Sequence, residues 1–245
     1  AAIVPVSALR GDNVTRSLDS PWYGGPSLLQ VLEGLPTAEE ARDGALAVPV
    51  QYVAKPDEGS GSTGHGQRVF WGRIAQGRVR AGDAVQVFPS SERATVREVR
   101  RAGSTIDAAR AGDSAGLVLD RQLDISRGDW IGAHDALQAT QRFTATLAWL
   151  DTDRATRGRK YLLRHGNRWV QARIASIEHV LDIHTLAPGP AHQLAANEIG
   201  RVTIELQQPL PLQRYADNRV GGALIVVDPA SHRTSGALLV ESTPT

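Results

Sequence analysis

The chain has 245 residues, a length that favours two modest domains over one. Its hydrophobic fraction of 41% and charged fraction of 22% are ordinary for a globular protein and exclude disorder of the whole chain. The absence of cysteine excludes a disulfide scaffold and thiolate chemistry, and a net charge of +1 supplies no global field to hold DNA or another polyanion.

In chain order, Ala2-Ile3-Val4-Pro5-Val6 predicts a short buried strand, left through the loop Ser7-Ala8-Leu9. Pro21-Trp22-Tyr23-Gly24-Gly25-Pro26 is turn chemistry. Ser27 then predicts an N-cap, and Leu28, Leu29, Val31 and Leu32 have helical spacing until Gly34. Residues 35–47, with Pro36, Glu39-Glu40 and Gly44, show no sustained period and read as a connector. From Val48 the pattern becomes short strands between glycine-centred turns, the mark of an all-β barrel or sandwich. Gly82-Asp83, Gly112-Asp113 and Gly128-Asp129 each precede a strand: Val85 to Phe88, Ala115 to Leu119, and Trp130-Ile131. A second β region begins near Phe143, where Phe143, Ala145, Leu147 and Trp149 alternate with Thr144, Thr146 and Ala148. His165-Gly166-Asn167 predicts a hairpin between Tyr161-Leu162-Leu163 and the run Trp169 to Ile177. Val202, Ile204 and Leu206 alternate with Thr203 and Glu205, and Ala223 to Val227 and Ala237 to Val240 supply further strands. A boundary between two barrels falls near Ala136 to Thr140.

The short motifs carry little chemistry. Gly59-Ser60-Gly61-Ser62-Thr63-Gly64 spells a dinucleotide fingerprint, but no strand enters it directly and strand-like residues follow it, so it reads as a flexible loop. Arg10-Gly11-Asp12, Arg127-Gly128-Asp129 and the sequon Asn13-Val14-Thr15 read as turn chemistry and an unmodified asparagine. His179, His184 and His192 lack metal-ligand spacing, and no GxSxG elbow places a serine nucleophile. No catalytic residue and no metal ligand is therefore assigned. Basic residues are nearly all arginine, with lysine only at Lys55 and Lys160, which suits phosphate recognition and equally a genome rich in arginine codons. No GxxxxGK[ST] loop occurs, so the chain by itself is expected neither to wrap a triphosphate nor to hydrolyse GTP. No apolar run approaches the ~20 residues that span a bilayer, and the chain is read as soluble and cytoplasmic. It lacks methionine and opens on Ala1-Ala2-Ile3, as a fragment, a processed product or a trimmed chain would; a fragment is the reading adopted.

One stretch is more specific than these motifs. Residues 72–89, from Gly72-Arg73-Ile74 through Gly82-Asp83 to Val87-Phe88-Pro89, resemble the first barrel that follows the GTPase domain in translation factors and their relatives. There Gly72 and Gly77 let backbones approach at a barrel corner, while Val85 and Val87 point inward. Within that superfamily, several stretches resemble the large, GTP-regulated subunit of bacterial sulfate adenylyltransferase: Val4 to Val14, Asp124 to Asp129, Asn197 to Val202, Arg214 to Arg219, and Gly222 with the strand ending at Asp228. Pro21-Trp22-Tyr23 and Gly25 to Leu29 are similar to the last GTPase helix of that family.

The resemblance implies two consecutive antiparallel Greek-key β-barrels of the translation-factor type, preceded by a short α/β remnant of a P-loop GTPase domain. It implies residues 1–34 as that remnant, 35–47 as linker, 48–137 as the first barrel and 138–245 as the second. Further implied are GTP and magnesium in the full-length subunit, with no cofactor for the fragment alone, and contact of Ser7, Ala8 and Leu9 with the guanine base. The implied partner is the small adenylyltransferase subunit, with an adenylylsulfate kinase domain as a further segment of some parent chains. The loop Gly59 to Gln67 is longer than the family's pattern. Two other readings stay open: an elongation-factor-like module that holds aminoacyl-tRNA, and an adaptor with no enzyme attached.

Overall fold

A computed structural model describes residues 3–35, 44–55 and 68–243. Ala2, Pro36, Glu39, Glu40 and the Gly59–Gly64 loop lie outside the described residues, as does His65. The chain forms two compact units, residues 1–40 and 41–245.

In the first unit the expected helix runs Leu28–Gly34. Ser27 caps it reciprocally: its hydroxyl accepts the Gln30 amide at 3.3 Å, and the Gln30 side chain accepts the Ser27 amide at 2.8 Å. The next two amides, of Leu28 and Leu29, donate to the carbonyls of Asn13 and Val14, so the helix start leaves few donors unmatched. The expected buried strand at residues 3–6 does not form. Those residues are irregular, Ile3 is 93% exposed, and no ladder partner exists for them among the described residues. An apolar run becomes a strand only by hydrogen bonding to a neighbour.

In the second unit every strand pairing among the described residues is antiparallel. Its first circuit runs Ala47–Pro49, Trp130–Ala133, Ala84–Phe88, Arg93–Arg101, Ser114–Leu119, Val69–Arg73 and Tyr52–Ala54 in spatial order. The first and last of these belong to one segment, which bends at Val50-Gln51. Its early half pairs with Trp130–Ala133 and its late half with Val69–Arg73, so a single piece of chain joins both ends of the sheet and covers its edges. Gly72 sits at this bend. A Cβ there would overlap the Pro49 carbonyl oxygen, and a Cβ on Gly77 would fall 2.7 Å from the Gly44 carbonyl, in a backbone at φ +75°. The expected corner role of both glycines is thus seen in the geometry. Val85 and Val87 point inward, as expected, and pack with Phe70, Leu117 and Ile131.

The second circuit closes fully: Lys160–His165, Ala223–Val227, Thr234–Ser242, Thr140–Trp149, Ile199–Leu210 and Arg168–Leu181, which pairs back to Lys160–His165. Three strands joined in sequence lie beside the earlier Thr140–Trp149, the Greek-key arrangement. The alternation read from Phe143 to Trp149 holds, with Phe143, Ala145, Leu147 and Trp149 all buried against Tyr161, Ile174 and Leu238.

Strand entry uses one device repeatedly. Gly82, Gly112 and Gly128 adopt positive φ, and each following aspartate accepts the amide three residues back: Asp83 from Arg80 at 2.9 Å, Asp113 from Arg110 at 3.0 Å, Asp129 from Ser126 at 2.8 Å. Asn197, at φ +67°, and Glu198, which accepts the Ala195 amide at 2.6 Å, make the same turn with other residues.

Candidate functional site

Ser7, Ala8 and Leu9 fall in one tight turn of the first unit. Ser7 bridges Asp12, its carbonyl accepts the Gly11 amide at 2.8 Å, and Gly11 takes φ +75°. The Ser7 hydroxyl accepts the Arg10 amide at 3.3 Å, while Ala8 and Leu9 are exposed. Their two amides make no backbone hydrogen bond among the described residues, which leaves two donors and one hydroxyl in this turn. Asn13 behind the turn is buried, donates to the Pro5 carbonyl at 2.8 Å and accepts the Leu18 amide at 3.0 Å. The sequon nitrogen is therefore engaged within the fold, and Arg10-Gly11-Asp12 is a turn, as read from the sequence.

In the second unit the polar chemistry concentrates where the barrels meet. His165 ends an inward register of Tyr161 and Leu163, and its ring stacks on Trp130 of the first barrel at 5.1 Å and 6° between planes. Beside it Arg168 donates to Asp129 at 2.9 Å, and Arg127 donates to Asn167 at 3.0 Å. His165 Nε2 lies 3.1 Å from the Gly221 carbonyl. The Gly221 amide donates to Asn218, Asn218 to Gln213, and Gln213 Nε2 to Gln76 Oε1 of the first barrel at 3.2 Å. A chain of hydrogen bonds thus leaves one barrel at His165 and reaches the other at Gln76. Burial drives the imidazole down to about 4, against a smaller upward pull from its backbone contacts, so His165 is neutral at ordinary pH. Sequence reading did not find this seam. Its one available signal was the period of two that puts His165 on the buried face after Tyr161 and Leu163.

A second polar cluster closes the far loops of the second barrel. The buried Asp151 accepts the Ser235 hydroxyl at 2.8 Å, which holds its carboxyl below the ordinary range despite burial. Asp228, held to about 2 chiefly by the Ser231 amide and hydroxyl, also accepts from Arg159 at 3.1 Å. These bonds tie loops together. Among the described residues no group of histidines and carboxylates could hold a metal ion, and His179, His184 and His192 do not converge. No helix among the described residues is long and apolar enough to cross a membrane.

Comparison with known proteins fits this geometry. Residues 142–241, nearly the whole closed circuit, match the family described as GTP-eEF1A C-terminal domain-like. The chain is 36% identical over 242 residues to sulfate adenylyltransferase subunit 1 of Laribacter hongkongensis, covering 98% of this chain and 49% of that protein. It is 39% identical over 241 residues to the bifunctional enzyme CysN/CysC of Xylella fastidiosa, covering 98% of this chain and 38% of the relative. Among solved structures it is similar to Sup35 complexed with GDP, with a TM-score of 0.72 at 24% identity over 98% of this chain and 58% of that one. That likeness establishes the fold: β-barrels arranged as in translation-factor GTPases. The chain spans about half, or less, of the length of the curated relatives it matches. Matched along nearly all of its own sequence, the chain is homologous to a portion of sulfate adenylyltransferase subunit 1 and of the bifunctional enzyme CysN/CysC.

Proposed function

We propose that this chain is the two-barrel portion of the large subunit of a heteromeric sulfate adenylyltransferase, which makes adenosine 5′-phosphosulfate from ATP and sulfate with GTP hydrolysis driving the transfer. The observation that carries the reading is identity of 36–39% along 98% of the chain to proteins named sulfate adenylyltransferase subunit 1 and bifunctional enzyme CysN/CysC. In it, residues 48–137 and 138–245 form two barrels after a linker of 35–47, and residues 1–34 are the end of a GTPase domain. The barrels couple that domain to the small adenylyltransferase subunit. Coupling requires the partner to meet the GTP and GDP arrangements differently, and two barrels joined through His165, Trp130, Arg168 and Asp129 are suited to transmit such a difference as one body.

Within the same reading, Ser7, Ala8 and Leu9 supply base contacts to guanine, the exposed amides of Ala8 and Leu9 and the Ser7 hydroxyl being the donors. GTP and magnesium belong to the full-length subunit, since phosphate-binding sequence is absent here, and the setting is the cytoplasm. The relatives named CysN/CysC support a kinase domain in some parent chains.

The aminoacyl-tRNA reading rests on the family description of residues 142–241 and on the Sup35 likeness, both of which concern fold. A net charge of +1 with two lysines speaks against a phosphate-tracking surface. Purified small subunit and aminoacyl-tRNA, each titrated against the chain, separate the two. Retention of the small subunit without tRNA supports the proposal; the reverse contradicts it.

A further inference from the structure

One half of the second barrel's outer surface carries more positive charge than its own carboxylates balance. Lys160 stands directly opposite Arg173, Arg173 opposite Glu205, and Glu205 opposite Arg142, so a single row crosses four neighbouring strands. Alternation sets this row on the outside, because Tyr161, Ala172, Ile174, Ile204, Leu206 and Phe143 beside it are buried. Arg157, in the turn ahead of Lys160, lines with Arg142 and Arg173 a groove of about 260 Å³. Lys160, Gln171 and Arg173 line an adjoining one of about 320 Å³, and Glu205 borders both.

Among the described residues Glu205 is the single carboxylate lining the grooves, and it is already engaged. Arg173 Nε donates to one oxygen at 2.7 Å and Arg142 Nη1 to the other at 3.2 Å. Lys160 and Arg157 form no ion pair among the described residues, which leaves an excess of three positive charges around the grooves. Further along these strands Glu178 and Glu241 share Arg201, a cluster of net charge −1 that does not line the grooves. Two cations directly opposite each other, Lys160 and Arg173, weaken strand pairing. An anion between the two cations turns that repulsion into attraction.

We propose that this groove docks an acidic segment of a protein partner, whose carboxylates extend the row that Glu205 begins. The choice of carboxylates follows from the row itself, where Arg142 and Arg173 already divide the two oxygens of one carboxylate between them. The choice of a protein over a nucleic acid follows from charge, since the chain carries a net charge of only +1. The partner is the small adenylyltransferase subunit, a clause that rests on the function proposed above.

The test uses an octaglutamate peptide, an eight-phosphate DNA oligonucleotide and the purified small subunit as probes of wild-type chain, of Arg157→Glu/Lys160→Glu and of the neutral Arg157→Gln/Lys160→Gln. Octaglutamate is expected to bind wild type at low ionic strength, to weaken as salt rises, and to lose at least tenfold in affinity in the charge-reversed variant, with the neutral variant between. The small subunit is expected to weaken in the same order, mainly through a slower association rate. Octaglutamate affinity unchanged in both variants overturns the groove, as does tighter binding of the oligonucleotide than of the peptide, or equal small-subunit affinity for all three proteins. A small subunit that fails to bind wild type, while octaglutamate responds as expected, overturns the functional reading and leaves the acidic groove standing. The neutral variant decides the matter should charge reversal impair folding.

Discussion

His165 shows how one buried side chain sets the acid response of the unit. Its folded value of about 4 lies below the ordinary 6.5, so between the two the unfolded chain binds a proton that the folded chain does not. Stability is therefore complete above about pH 6.5 and falls as pH drops toward 4, by at most about 1.4 kcal/mol per pH unit from this group. Asp228 acts in a separate window, its contribution present above the ordinary 3.8 and lost as pH falls toward about 2. Urea unfolding between pH 7 and pH 4 should show a slope that flattens in His165→Gln; parallel curves for the two proteins contradict the account. In the sequence His165 reads as part of a hairpin turn, whereas the strand Lys160–His165 includes it and its register with Tyr161 and Leu163 buries it. Its stacking on Trp130 was not legible, because no local pattern links residues on different barrels.

Among the elements, turns were read where glycine and aspartate spell them and missed where other residues do the same work. Gly82-Asp83, Gly112-Asp113 and Gly128-Asp129 were legible; Asn197-Glu198 makes the equivalent turn with asparagine at positive φ and a longer acid. The strand after His165 was expected to end at Ile177 and runs Arg168–Leu181, because register shifts at Ile174/Ser176 and Ile177/His179 interrupt its alternation. At residues 3–6 the apolar run gave the opposite error, composition without a ladder. The matched turns also permit a controlled comparison. Asp83 and Asp129 each accept a turn amide, but Asp83 meets an exposed Arg80 at 3.4 Å, whereas Asp129 holds the largely buried Arg168 at 2.9 Å across the seam. Asp129→Asn should destabilise the protein by on the order of 1–3 kcal/mol more than Asp83→Asn, since exposed pairs contribute little. Thermal unfolding of both variants checks this, and equal melting temperatures contradict an energetic role for the seam.

For the whole molecule, the presence of two β-barrels was legible from strand spacing and from the resemblance of residues 72–89, but the circuits were not. Closure of the first depends on one bent segment, residues 47–54, serving both ends of its sheet, and closure of the second on a pairing between Lys160–His165 and Arg168–Leu181. At this scale the proposed role is to join a GTPase domain to an adenylyltransferase rather than to perform chemistry. A part that couples without the nucleotide domain should bind its partner and fail to stimulate it. The most direct measurement is sulfate-dependent pyrophosphate release by the small subunit, with this chain and with the full-length large subunit side by side, each with and without GTP. The account predicts that the chain binds the small subunit more weakly than the full-length subunit and gives no GTP stimulation, while the full-length subunit stimulates release. GTP-stimulated release with the chain alone, or aminoacyl-tRNA binding with no affinity for the small subunit, contradicts it.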